Sequence, residues 1–183
     1  MFAFAVHDRQ TNRFTCCRDA FGIKPFFYDD EDDAFLFGST HPAMVALRGA
    51  PPRRNWQRCY DYLVHGDYDS NDETFIADVC HLPPAHLIEF DMESCSVTRL
   101  ANWWSPSLIQ RGENSLASAT EAVREAFRES IRHQLRSDVQ IGAALSGGID
   151  SSAVVCAMHR VEPVAEINIF RYIASGTPLN EEK

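Results

Sequence analysis

The sequence predicts a mixed chain, an α+β half made mainly of short strands followed by an α/β half that opens a parallel sheet. Three observations predict this. Apolar side chains recur in short, often alternating runs over residues 1–104. A long stripe of apolar residues at helical spacing begins near residue 118. A glycine-rich loop then separates an apolar strand from a second helix, and helix, strand, loop, helix, strand is how a parallel α/β sheet begins.

In the first half, Phe2, Phe4 and Val6 alternate with small residues, as in a strand with unequal faces. Phe14 to Cys17 is a second strand. Pro25 to Tyr28 and Ala34 to Phe37 flank the acidic run Asp29 to Asp33, which predicts a hairpin with a solvated, charged tip. His41 to Leu47 is a short helix, stopped by Gly49 and the Pro51-Pro52 pair. Tyr60 to Val64 is a helical or turn segment, and His86 to Phe90 with Ser96 to Leu100 forms a closing hairpin. Asp67, Asp69 and Asn71 open like a calcium loop. Asp72 stands where the sharp turn needs glycine, and Asp78 where the bidentate Glu belongs, so the segment is read as a solvated loop.

Residues 105–117 lack periodicity and read as a linker between a domain over 1–104 and a second over 118–183. Ser118 and Glu121 have capping-box spacing. Ala119, Val123, Phe127, Ile131 and Leu135 then mark one face of a helix, with Glu125–Arg128 and Glu129–Arg132 on its wet side. Val139 to Leu145 is a strand, Ser151 to Arg160 a helix, and Val164 to Tyr172 a further strand.

Composition narrows the function classes. The 183 residues carry 45% hydrophobic and 23% charged residues, the balance of a soluble chain of one ordinary or two small domains. A net charge of −9 argues against a nucleic-acid partner, which calls for clustered Lys and Arg. It does not argue against ATP, because backbone amides bind phosphate without net positive charge. The six cysteines form no C-x-x-C pair and no zinc spacing with the histidines, and no glycosylation sequon occurs. No apolar run reaches the ~18 residues of a membrane span. Together these predict reduced cysteines and a cytoplasmic protein without a membrane partner.

The segment with the most chemistry is Leu145-Ser146-Gly147-Gly148-Ile149-Asp150-Ser151-Ser152, between an apolar strand and a helix start. Two glycines let backbone N–H groups approach a ligand, and the hydroxyls of Ser146 and Ser151 can donate to phosphate oxygens. The following helix offers its positive end. Asp150 would repel phosphate unless a cation lies between, which implies Mg²⁺ shared with the phosphates. The loop is no Walker A sequence, since no Gly-Lys-Ser/Thr follows.

This string resembles the pyrophosphate-binding loop of the ATP pyrophosphatases, which adenylate a substrate oxygen and release pyrophosphate. Met1 to Asp8, Arg18-Asp19-Ala20-Phe21-Gly22-Ile23-Lys24-Pro25-Phe26-Phe27-Tyr28 and Phe37-Gly38-Ser39 resemble the later part of a class II glutamine amidotransferase domain. Leu82-Pro83-Pro84-Ala85-His86, Trp103-Trp104, Leu135 to Gly142 and Ile169 to Ala174 are similar to segments of glutamine-hydrolysing asparagine synthetases. The resemblance spans essentially the whole chain. It implies part of an Ntn-type glutaminase β-sandwich followed by the start of an adenine-nucleotide hydrolase-like parallel sheet. It further implies glutamine hydrolysis, activation of the aspartate side-chain carboxylate by ATP, and attack by ammonia to give asparagine, AMP and pyrophosphate. A homodimer is implied for the full-length family.

Carried over by residue, the resemblance implies that Asp19 holds the glutamine α-amino group and that Leu145 and Tyr172 touch the nucleotide. Ser146, Gly147, Gly148, Asp150, Ser151 and Ser152 would bind ATP pyrophosphate, with Asp150 toward Mg²⁺. Two departures accompany it. The family's nucleophile is a cysteine at the mature N-terminus, whereas residues 1 and 2 are Met and Phe, and Cys16 and Cys17 do not match it. The later phosphate- and aspartate-binding segments have no counterpart, so an incomplete form without glutaminase turnover is expected. A related amide-forming ligase, of β-lactam synthetase or peptide cyclase type, and a non-catalytic nucleotide-binding piece are the alternatives.

Overall fold

A computed structural model of the chain describes residues 1–31, 34–107 and 115–173. The chain divides into two units, Met1–Leu108 and Ile109–Lys183. In chain order, the first contains β1 (Ala3–Asp8), β2 (Arg13–Arg18), β3 (Phe27–Glu31), β4 (Ala34–Gly38), α1 (His41–Arg48), α2 (Trp56–His65), β5 (Cys80–His81), β6 (His86–Asp91) and β7 (Ser96–Asn102). The second contains α3 (Leu116–Gln134), β8 (Ile141–Ala144), α4 (Ile149–Val161) and β9 (Ile167–Phe170).

The first unit holds two antiparallel sheets, of order β1-β2-β6-β7 and β4-β3-β5. Side chains alternate across a strand, so register decides which residues meet. Ala5 lies opposite Cys16, and Cys16 opposite Ile88, which places these three on one face. That face packs on Phe26 and Leu82, with Tyr28, Phe35, Phe37 and Val97 at the margin. A second cluster, Phe27, Met44 and Val79, fastens α1 to the smaller sheet. The opposite face of β1 leaves Phe2, Phe4 and Val6 exposed, with the Phe2 ring stacked on Trp103.

The acidic run is not a solvated tip throughout. β3 extends to Glu31, so Asp29 lies inside the strand opposite Leu36. Its side chain is 1% exposed and ion-paired with Arg48 of α1 at 3.0 Å. Arg48 also donates to the carbonyl of Ala77 at 2.8 Å, tying the sheet to the segment before β5. Asp32 and Asp33, read as part of the same tip, lie outside the described residues.

α2 runs from Trp56 to His65, well beyond the Tyr60–Val64 segment read from the sequence, because Asn55 caps its start and Gly66 its end. In the Asp67 loop, Asp67 accepts from Arg58 at 3.2 Å. Among the described residues no set of three acidic, His or Cys side chains could hold a metal ion.

In the second unit α3 begins at Leu116, not after Ser118. Ser115 is the N-cap and accepts from the Ser118 N–H at 3.2 Å, so the Ser118–Glu121 box is replaced by a cap three residues earlier. Leu116 and Ala117, read as the end of the linker, are therefore helical, and residues 108–114 of that linker lie outside the described residues. β8 and β9 pair in parallel, with Ile141 opposite Ile167 and Ala144 opposite Phe170.

Candidate functional site

The loop after β8 takes a definite shape. Gly147 sits at φ +78°, a left-handed conformation that a side chain makes costly. Gly148 caps α4 at φ −75° with no side-chain cap bond, so the first amides of α4 are not closed off by a capping group. The steric demand expected of both glycines therefore falls on Gly147 in the backbone itself. A methyl group at Gly148 would meet only the Ser146 Oγ, at an ordinary 3.4 Å.

Ser146 and Ser151 come together, their Oγ atoms 2.9 Å apart. Ser151 also donates to the Gly148 carbonyl at 3.2 Å, and the Ser146 N–H donates to the Ser151 Oγ at 3.2 Å. Ser152 is tied through its backbone, its N–H donating to the Gly148 carbonyl at 3.1 Å. Asp150 lies in the first turn of α4 with its side chain exposed. Leu145 continues the pairing, donating its N–H to the Phe170 carbonyl at 2.8 Å. A cavity of about 420 Å³ opens at the carboxyl ends of β8 and β9, lined by Ala144, Leu145, Ser146, Phe170, Arg171 and Tyr172. The crevice beyond the carboxyl ends of parallel strands is the usual ligand position in an open α/β sheet. Leu145, Ser146 and Tyr172 thus share one cavity, while Asp150 and Ser152 stand on the helix behind the loop.

Asp19 is placed differently. It is 4% exposed, and its carboxylate accepts four backbone N–H groups: Phe2 at 3.2 Å, Phe21 at 3.1 Å, Ile23 at 3.0 Å and Lys24 at 2.9 Å. Burial pushes its pKa up, but the four donors outweigh burial and hold it below the ordinary aspartate value. The Asp19 carbonyl also accepts from Gly22 and Ala85. This carboxylate organises the 19–24 turn.

The paired cysteines lie in β2. Cys16 is fully buried, and burial, with a smaller push from Cys17, raises its thiol to about 12. A thiol so hard to ionise is no nucleophile at neutral pH. All six cysteines are free thiols.

Sequence reasoning leaves out a larger cavity in the first unit, of about 530 Å³, lined among others by Arg18, Phe21, Tyr68, Asp69, Asp72 and His81. One wall is fixed by Arg18, whose guanidinium donates to the carbonyls of Lys24, Leu82 and Gly22 at 2.6–2.8 Å. The other is fixed by Arg58, 1% exposed, through Asp67. The available signal is the run of polar residues from Asp67 to Asp72, which carries no periodicity to say where it folds.

Residues 1–104 match the glutamine amidotransferase domain family, and residues 122–178 match the asparagine synthase family. The chain belongs to the glutamine-hydrolysing asparagine synthetase family. It is 30% identical over 191 residues to asparagine synthetase [glutamine-hydrolyzing] 2 of Bacillus subtilis, covering 100% of this chain and 25% of that one. Asparagine synthetase [glutamine-hydrolyzing] 3 of the same organism is 32% identical over 154 residues, 84% of this chain and 24% of that one. A putative asparagine synthetase 2 of Methanocaldococcus jannaschii is 26% identical, covering 93% of this chain and 33% of that one. The chain thus spans a quarter to a third of the length of these asparagine synthetases. Among the described residues no helix is long and apolar enough to cross a membrane.

Proposed function

We propose that this chain carries the pyrophosphate-binding end of an ATP-dependent amide synthetase together with part of its glutaminase domain. The observation that supports the reading best is the Ser146–Ser152 loop, at the carboxyl end of a parallel strand and the start of α4. ATP would place its β- and γ-phosphates against the amides of Gly147, Gly148 and the first turn of α4, with Ser146 and Ser151 donating. Those two hydroxyls are 2.9 Å apart, close enough to serve one phosphate group. Leu145 and Tyr172 would border the nucleoside.

The loop offers one carboxylate, Asp150, exposed at the start of α4. A single carboxylate beside phosphate oxygens is the donor set Mg²⁺ accepts when it arrives with a nucleotide. The ion would supply neutralisation of the pyrophosphate charge.

The reaction so served begins when the aspartate side-chain carboxylate attacks the α-phosphorus and pyrophosphate leaves. Ammonia derived from glutamine then attacks the acyl carbon and AMP leaves, giving asparagine. In the glutaminase part, Asp19 presents the anionic partner for the substrate ammonium and holds the turn that borders it. A match to amidase chry2 of Gibberella zeae, 28% identical over 84% of this chain and 22% of that one, favours a second reading in which the same plan serves another amide.

Calorimetric titration tests the phosphate site. The intact chain is expected to bind ATP with Mg²⁺ at about millimolar Kd, worth ~4 kcal/mol. Gly147→Val should abolish binding, because the left-handed backbone there rejects a branched side chain. Asp150→Asn should remove the Mg²⁺ dependence. Equal binding by all three chains would show the loop to be a plain turn.

A further inference from the structure

The phosphate loop accounts for one end of a nucleotide, and the other end needs a surface of different chemistry. We propose that Phe170 is the platform on which the base stacks, seated by Gly142; this rests on the nucleotide reading above. Phe170 is the last residue of β9 and lines the same cavity as Ser146, yet its ring is 65% exposed. A large aromatic side chain left this open beside a phosphate-binding loop offers what a purine needs, a flat apolar face.

The ring is not free to lie anywhere. Ala144 is the parallel partner of Phe170, and Gly142 lies two residues back along β8, on the same face of the sheet. A methyl group on Gly142 would stand 2.8 Å from Cε2 and 3.4 Å from Cδ2 of the Phe170 ring. The ring edge therefore rests over β8 in the notch that glycine leaves, and any other residue there would lift it. Gly142 has no left-handed backbone to explain it, and the notch supplies a reason for its lack of a side chain.

The division of labour is that Ser146–Ser152 recognises phosphate and Phe170 recognises the base. Comparing ATP with inorganic tripolyphosphate, both with Mg²⁺, separates the two on the whole chain. The intact chain is expected to bind ATP about tenfold more tightly than tripolyphosphate, the size of one base stacked on one ring. Phe170→Ala should erase that preference and leave tripolyphosphate affinity unchanged, whereas Phe170→Trp should keep it. Gly142→Ala should also erase it, acting from the neighbouring strand. If the Ala variant loses both ligands, Phe170→Trp decides, retention of the preference supporting the platform and its loss overturning it. An intact chain without preference, or a Phe170→Ala chain that keeps it, overturns the platform and leaves the phosphate reading standing. Failure to bind either ligand overturns that reading and the platform with it.

Discussion

The two units of this chain bury their apolar side chains to very different degrees. In the first, Cys16, Phe26, Phe27, Met44, Val79, Leu82, Ala85, Ile88 and Phe90 are all buried. In the second, among the described residues, only Ile131 and Met158 are buried apolar side chains, while Leu116, Val123, Ile149, Val164, Phe170 and Tyr172 are largely exposed. The stripe on α3 shows the contrast within one helix, since Val123 is 70% exposed and Ile131 8%. The loop proposed to bind phosphate belongs to the thinly buried unit. Ligand-binding segments are commonly drawn from the low-stability end of a structure, and whatever binds the folded form adds stability to it. The first unit is organised by its own core, and the second would gain more from a ligand bound to its folded form.

Removing a buried charge partner should break the first unit hardest. Asp29→Ala takes from Arg48 its buried carboxylate partner and leaves it Asp78 at 3.5 Å, and is expected to cost about 3 kcal/mol or more. Trp56, Trp103 and Trp104 all lie in this unit, so tryptophan fluorescence during urea unfolding reads it alone. An unchanged midpoint would mean that the pair contributes nothing.

Truncating one apolar side chain in each unit sharpens the contrast. Ile88→Ala, at a fully buried position, should cost about 3 kcal/mol. Val123→Ala, on the open part of α3, should change stability by less than about 0.5 kcal/mol. Circular dichroism at the helical wavelength would follow the second change, and similar losses at the two positions would erase the distinction.

A smaller effect is expected from acid. His81 has its pKa lowered from 6.5 to about 4, first by burial and then by the charges of Arg18, His41 and Arg58, with Asp72 opposing. His41 is lowered too, by burial. The unfolded chain takes up a proton near pH 6.5 that the folded chain refuses until about pH 4. Stability is therefore full above pH 6.5 and falls as the pH drops through this window, by about 1–2 kcal/mol after allowing for solvent screening of a partly exposed ring. His81→Gln should flatten that slope in the first unit, and an unaltered slope would assign the acid sensitivity elsewhere.

What the sequence shows of all this depends on how local each signal is. The alternation around Phe4 and the stripe from Ala119 to Leu135 are periodic, and they mark β1 and α3 correctly. Asp29 could not be read as a core residue, because its partner lies nineteen positions on, in a helix whose docking no local pattern encodes. α2 is longer than the Tyr60–Val64 segment read from the sequence because Asn55 and Gly66 set its ends, while most of its surface is exposed. In the Ser146–Ser152 loop the string itself names the candidate residues. It cannot say that Gly147 and not Gly148 takes the left-handed conformation, since both are glycine. The donors around Asp19 are backbone groups, which every residue carries, so no sequence pattern announces them.

Those donors have a mechanical consequence. Residues 21–24 belong to no helix or strand. A protease cuts a segment that can leave its place and lie extended in the cleft of the enzyme. This one cannot leave without stripping a buried, ionised carboxylate of three of the four N–H groups that satisfy it. The turn beside the amidotransferase sheet is irregular in shape, but three backbone bonds to one carboxylate fasten it, which should slow its cutting.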